Sequence, residues 1–409
     1  MFDRIKKKTY IYKDFLLSLF SSAISTFISQ IIVYPILAQK LSNDEYGVIL
    51  TTIAVANTLI SALGNSLNNT RLIVQAEYEN EKVEGDFMPL CLILSIIAST
   101  IYFVYLAWLN RYTLSTVVLM VLFVLLGVLR TYGAVSFRLT INYLANLWLS
   151  ICVALGNAIG VAALVVSNSK NAWVLVFLFG EIIGVIYLLS TPIYREKKKF
   201  TKLFRRTLGK EAILLITTLS ANLLVYLDRL LLYPILGSEA VAVYAVASFF
   251  GKSLGIVVTP LSGVLLSYYS KRQYTMTLSK YRLTSGATFS LAILFIGVCR
   301  LISRPITGVF YPTLIDEAEP ILNLANIASV IAVAVNLISP AVLRYAKTYW
   351  QIIIQVLYFA IYFGLGVWAS REYGLVGFAY ASIVAVLIKF FVLYFVGEFS
   401  IRKYQKETM

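Results

Sequence analysis

The sequence predicts an all-α polytopic membrane protein, with about 12 transmembrane helices in two six-helix halves around a central cavity. Three observations predict it: long apolar runs, a one-sided distribution of basic residues, and a motif that recurs half a chain apart. A bilayer hydrocarbon core of about 30 Å takes roughly 20 apolar residues of helix to cross. Residues 14–37, DFLLSLFSSAISTFISQIIVYPIL, meet that length. Eleven further runs follow at 46–68, 87–109, 114–137, 143–167, 172–192, 211–235, 240–268, 284–303, 318–342, 350–370 and 374–396. Only helices and closed barrels satisfy every backbone group in lipid, and uninterrupted apolar runs of this length are helices, not barrel strands. Apolar residues make up 59% of the chain and charged ones 13%. A soluble domain carries about twice that charged fraction, so little of the chain lies outside the lipid.

Twelve crossings return the chain to the side on which it began. Of 35 Lys and Arg residues, 26 fall on that side, counting Arg130 near a span end, and six on the alternate side, counting Arg300 near a span end, with Arg229, Lys252 and Lys389 further inside spans. The densest segment, residues 193–210, holds eight. Such a bias places both termini in the cytoplasm. The net charge of +15 is therefore mostly a topology signal, with anionic lipids at the cytoplasmic loops as its natural partner. Nucleic-acid binding would need a folded basic domain, and no segment is long enough to form one. The start, MFDRIKKKTYIYKD, imitates a signal peptide, but the apolar run behind it is too long and lacks a cleavage site, so it reads as an uncleaved first helix. Cys91, Cys152 and Cys299 fall inside spans and read as small apolar side chains, not disulfide partners.

The chain has no histidine, which excludes His-based catalysis and most zinc or iron sites; no cofactor, metal site or enzyme activity is expected. Gly251-Lys252-Ser253 imitates the end of a phosphate-binding loop, but position 246 is Val and the tripeptide lies mid-span. Direct nucleotide-driven chemistry is thereby excluded.

Tyr34-Pro35-Ile36-Leu37 ends the first span and Tyr233-Pro234-Ile235-Leu236 ends the seventh. Tyr46-Gly47 opens the second, and Tyr244-Ala245 recurs early in the eighth. Between the copies lies YREKKKFTKLFRRTLGK. The expected organisation is an N-terminal six-helix half (1–193), a basic cytoplasmic linker (194–210), a C-terminal six-helix half (211–396) and a cytoplasmic tail (397–409). Paired halves are a transporter signature, with substrate sites near mid-bilayer.

Polar residues inside the spans point to candidate sites. Tyr244, Ser248, Lys252, Gly255 and Thr259 share one helical face, as do Asn57, Ser61, Asn65 and Asn68. Counted from Tyr46 and Tyr244, Asn57 matches Gly255 and Ser61 matches Thr259, so the two faces are in phase. The bland reading of such stripes is helix–helix hydrogen bonding; the sharper one is a shared cavity. An ionised group at mid-bilayer costs at least about 2.5–3.5 kcal/mol and faces water or a partner. Lys252, about twelve residues into its span, is read as lining an aqueous lumen, the alternative being a buried pair with an acid. Thr218, Asn222 and Arg229 share a face, which turns Arg229 inward. Asp228 is then its neighbour's neutraliser or a proton or cation site. Glu181, a lone acid between Gly180 and Gly184, is a proton-coupling candidate or a carboxyl in a glycine-lined helix contact. Snorkelling accounts for Arg130 and Lys389.

The stretches LLSLFSSAISTFISQIIVYPILAQKLSNDEYGVI (16–49), NNTRLIVQ (68–75) and NLLVYLDRLLLYPILGSEAVAVYAVAS (222–248), with the span count, resemble the polysaccharide transporters of the multidrug/oligosaccharidyl-lipid/polysaccharide exporter superfamily. Within it they look most like the O-antigen and capsule flippases of the Wzx type. The resemblance implies a non-enzymatic flippase of the bacterial cytoplasmic (inner) membrane. It would move undecaprenyl-pyrophosphate-linked oligosaccharide repeat units outward by ion-coupled alternating access, for O-antigen of lipopolysaccharide or for capsule. It also implies a coupling ion, proton or sodium, and as partners a polysaccharide polymerase and a chain-length regulator. Substrate-binding residues would be Lys252, Arg229, Asn57, Ser61, Asn65, Ser248 and Thr259, and ion-coupling candidates Asp228 and Glu181. A multidrug or cation exporter of the same superfamily and a membrane-embedded polysaccharide polymerase are the alternatives. The first should have an acidic lumen; the second should have a substantial external loop, whereas residues 303–317 form the longest one here.

Overall fold

The computed structural model describes residues 16–167, 169–269 and 276–408. The start of the first predicted span (Asp14 and Phe15), the basic residues 1–13 and part of the loop at 269–283 lie outside the described residues. Among the described residues there is no strand, and ten helices are long and apolar enough to cross a membrane. The count of twelve stays with the reading proposed below.

Helix α1, Leu16–Lys40, passes through a π-helical stretch at Ile28–Val33 immediately before Pro35. Proline cannot donate to the fourth residue back and its ring crowds that carbonyl, so the wider turn accommodates it. Helix α2, Asn43–Asn80, opens on a capping box: the Ser42 amide donates to Glu45 Oε2 at 3.0 Å, and the Glu45 amide donates to Ser42 Oγ at 3.3 Å. At 38 residues it is about 57 Å long, well beyond the hydrocarbon thickness, so its polar C-terminal turns leave the apolar layer. Helices α3 (Phe87–Leu109), α4 (Leu114–Leu139), α5 (Tyr143–Val166) and α6 (Trp173–Leu188) follow. Asn142 caps α5, its side-chain oxygen accepting from the Ala145 amide. Then come α7 (Phe204–Val225), α8 (Leu227–Leu236), α9 (Ser238–Ala247), α10 (Phe249–Leu266), α11 (Leu278–Phe310), α12 (Ile315–Tyr345) and α13 (Thr348–Thr408). Helix α13 is two helices meeting at Gly374, whose φ of 60° and ψ of −143° leave the helical region.

The described residues pack as two compact units: Leu16–Lys40 with those of Thr51–Leu227, and Leu41–Leu50 with those from Asp228 onward. The first unit is built on α2, 83% buried over its most apolar window. Helices α5 and α6 pack most closely through a pair of small-residue motifs, Gly156/Gly160 and Gly180/Gly184. A Cβ at Gly156 would lie 2.4 Å from the Phe179 carbonyl oxygen, and one at Gly160 2.4 Å from Val176 Cα. Only glycine permits this approach. The second unit is built on α12, packed by α9, α10, α11 and α13. Large apolar side chains such as Ile96, Phe103, Ile213, Leu301 and Phe395 are exposed, as lipid-facing positions require. The three cysteines are free thiols.

Candidate functional site

A helix break positions the acid of the charged cluster in the second unit. Helix α7 ends at Val225, and Tyr226 (φ −107°, ψ 11°) separates it from α8. Asp228 therefore stands in the first turn of α8, where free amides and the helix dipole favour an anion. Its Oδ1 accepts from the Arg229 amide at 2.8 Å. Lys252 stands one turn beyond Ser248, its amide donating to the Ser248 carbonyl at 3.0 Å as the Ser248 amide donates to the Tyr244 carbonyl at 3.0 Å. Lys252 Nζ donates to Asp228 Oδ2 at 2.6 Å and lies 5.7 Å from the centroid of the Tyr244 ring. The carboxylate is 9% exposed and the ammonium side chain 35%. Arg229 is half-buried, with Nη1 3.5 Å from the Leu50 carbonyl oxygen. The cluster thus holds two cations and one carboxylate. Around it, Tyr244 donates to Ser382 at 3.4 Å and Ser382 to Tyr362 at 3.3 Å, a buried aromatic and hydroxyl wall.

This arrangement corrects two expectations. Lys252 is not an uncommitted lumen cation; it is paired with Asp228 and keeps a third of its side chain open. Asp228 neutralises Lys252 through its side chain and meets Arg229 through the main chain. The helical face shared by Thr218, Asn222 and Arg229 ends at Tyr226, because the break resets the helix phase. Thr218 instead donates to the Ala62 carbonyl at 3.0 Å.

Glu181 is not a lone acid. Arg130, on α4, reaches it with Nε 2.5 Å from Oε2 and Nη2 3.0 Å from Oε1, a bidentate pair. Gly184 makes room for the arginine: a Cβ there would lie 2.6 Å from Arg130 Cδ. Arg130 therefore turns inward instead of snorkelling. The glycine-lined helix contact that the sequence offered as the alternative for Glu181 is present, with an arginine added. Lys389 does not snorkel freely either: Nζ sits 4.3 Å from the Tyr358 ring centroid, beside a cavity of about 180 Å³ that Asn336, Ser339, Gln351 and Gln355 also line.

The polar stripes divide. On α2, Asn57 and Ser61 are half-buried and Asn65 is exposed. Asn68 is a helix–helix tie, donating to the Thr131 carbonyl at 3.1 Å and accepting from Arg138 at 2.7 Å. In the second unit Thr259 is exposed, but Ser248 is fully buried with its hydroxyl turned to the Ala245 carbonyl at 3.3 Å, so it presents nothing to a ligand.

Sequence reading missed two buried acids in the first unit. Asp86 accepts from Tyr78 at 2.6 Å and from the Thr201 amide at 2.6 Å, and with the Thr201 hydroxyl it locks the turn at Gly85 to the basic linker. Glu211, at the edge of a predicted span, accepts from Ser66 at 2.5 Å and Thr70 at 2.6 Å. The i, i+4 spacing of Ser66 and Thr70 was the available signal.

The family model for polysaccharide biosynthesis proteins matches residues 15–273. No curated protein sequence matches the chain. Among solved structures, the Vibrio cholerae MATE transporter VcmN in its bent form has a TM-score of 0.63 at 14% identity, over 97% of this chain and 98% of that one. An inward-facing multidrug resistance MATE family transporter of the MOP superfamily has a TM-score of 0.61 at 12% identity, over 96% of each chain. The eukaryotic MATE transporter AtDTX14 has 0.54 at 14% identity, over 97% of this chain and 99% of that one. At these identities the likeness is one of fold.

Proposed function

The chain belongs to the polysaccharide biosynthesis protein family, and from that premise we propose that it is a flippase. Its cargo is an undecaprenyl-pyrophosphate-linked oligosaccharide, carried outward across the cytoplasmic membrane for O-antigen or capsule. The twelve spans, the six-plus-six organisation with a basic linker at 194–210 and the cytoplasmic termini belong to this reading. The observation that carries it is the pair of basic side chains, Lys252 and Arg229, brought together at Asp228, with a third of the Lys252 side chain left open. A pyrophosphate needs such cations, and in a low-dielectric site the attraction gains strength. Asp228 holds Lys252 in position until the cargo's phosphate competes for it. Arg229, Asn57, Ser61, Asn65 and Thr259 remain cargo contacts in this proposal, and anionic lipids the partners of the basic loops.

A cation exporter is the second reading, favoured by the fold shared with MATE transporters. It predicts an acid open to a cationic cargo, whereas Asp228 and Glu181 each already hold a basic side chain.

One experiment separates the two. Proteoliposomes carry an undecaprenyl-pyrophosphate-linked oligosaccharide, and an impermeant lectin scores its arrival in the far leaflet; parallel vesicles carry a cationic dye. The flippase reading expects lectin signal that Lys252→Ala abolishes and Lys252→Arg partly retains, because arginine keeps the charge but not the point-donor geometry. Dye movement without lectin signal establishes the exporter instead.

A further inference from the structure

We infer that Glu211 is a proton-binding site through which a cytoplasmic proton loosens the seam between α2 and α7. The inference deepens the transporter reading and rests on it for the word coupling; the site itself stands on the geometry of the first unit. Glu211 is 2% exposed, and Ser66 and Thr70 are fully buried. Among the described residues no basic side chain pairs with it. A buried carboxylate without a cation is costly as an anion and inexpensive as an acid.

Its hydroxyl partners leave a place for the proton. Ser66 Oγ lies 2.5 Å from Glu211 Oε1 and 3.0 Å from the Leu63 carbonyl oxygen, so its single hydrogen faces two acceptors. A proton on Oε1 lets the carboxyl donate to Ser66 while Ser66 donates to Leu63, and all three oxygens are then satisfied. Without it, Ser66 and Thr70 both donate to the carboxylate in charge-assisted bonds, roughly twice as strong as the neutral bonds of the acid, and tie α2 to α7 more tightly. Asp86, the other buried acid nearby, differs because a backbone amide and two hydroxyls already saturate it as an anion.

The remaining charged groups of the seam are engaged elsewhere. Lys210 and Arg206 hold Glu77 at 2.6 and 3.3 Å, Lys202 holds Glu81, and Arg71 holds Glu196 at 2.7 Å. Tyr78 shares its hydroxyl with Thr207 at 2.7 Å. From α3, the buried Cys91 thiol is the titratable neighbour. Glu211 is therefore the buried acid at this seam whose charge a proton changes without breaking an ion pair or a bond from a backbone amide. The proton enters from cytoplasmic water and leaves the same carboxyl; no other bond changes. Asp228 and Glu181, the acids the sequence singled out, each carry a basic partner.

The test is a pH titration of the purified full-length protein by infrared difference spectroscopy, reading the carbonyl stretch of a buried protonated carboxyl. The expected result is a titrating band that Glu211→Gln removes and Glu181→Gln leaves in place. A band unaffected by Glu211→Gln overturns the site. Should Glu211→Gln fail to fold, Ser66→Ala and Thr70→Val serve: each removes a donor to the anion and should raise the midpoint by about one pH unit. An unmoved midpoint overturns the site as well. In proteoliposomes with an imposed pH gradient, Glu211→Gln should remove the dependence of lectin-scored flux on the gradient. Gradient-dependent flux in Glu211→Gln overturns the coupling role. Absence of lectin-scored flux in the unsubstituted protein counts against the cargo reading, while the infrared result still decides the proton site.

Discussion

The Lys252–Asp228 pair should respond unequally when its two members are removed. The carboxylate is 9% exposed and the lysine side chain 35%. Removing one partner of a buried pair costs roughly 3–5 kcal/mol, because the other charge is left in low dielectric. Lys252→Met strands Asp228 with the Arg229 amide as its near donor, and proton uptake by the carboxyl brings the cost to the lower end, about 3 kcal/mol. Asp228→Asn strands an ammonium that reaches water and the Tyr244 ring, so the cost is nearer about 1 kcal/mol. The double variant removes both charges and should be less destabilised than Lys252→Met alone, a coupling of about 2 kcal/mol. Thermal and denaturant unfolding of the detergent-solubilised protein measures all four proteins. The same series moves the local charge in opposite directions: Lys252→Met removes a cation from the cluster, and Asp228→Asn removes a carboxylate. Lectin-scored flux should therefore fall further with Lys252→Met. An Asp228→Asn variant as unstable as Lys252→Met, or a double variant equal to the sum of the singles, would refute the reasoning.

Other outcomes follow from the packing. Arg130→Met should destabilise by about 3 kcal/mol through the stranded Glu181, and Glu181→Gln added to it should recover part of that loss in the same unfolding assay. Gly156→Leu should force α5 from α6, because even a Cβ would meet the Phe179 carbonyl at 2.4 Å; a loss of 1–3 kcal/mol or more is expected, read as a lower melting temperature, whereas an exposed Gly209→Ala should change little. For topology, cysteines at the exposed Ser42 and Glu239 should label from outside intact cells with an impermeant thiol reagent, and those at Lys198 and Ser279 only after permeabilisation. Outside labelling at Lys198 would invert the orientation.

Membrane class and helical content were legible in composition and run length alone, because lipid leaves a chain few ways to satisfy its backbone. The start of α2 was legible too, since a capping box needs only Ser42 and Glu45 three residues apart. The close contact of α5 and α6 is written in glycines at i, i+4 on each helix. What no local pattern carried was the identity of each charge's partner. Arg130 and Glu181 are 51 residues apart, and Asp228 and Lys252 are 24. Their meeting depends on how each helix is rotated, and at about 100° per residue a single break such as that at Tyr226 resets that rotation. The same holds for Glu211, whose hydroxyl partners are 141 and 145 residues away on α2. Periodicity told which side chains share a face of one helix; only tertiary packing decided which faces meet, and so which acids are paired with a base and which are held by hydroxyls and amides.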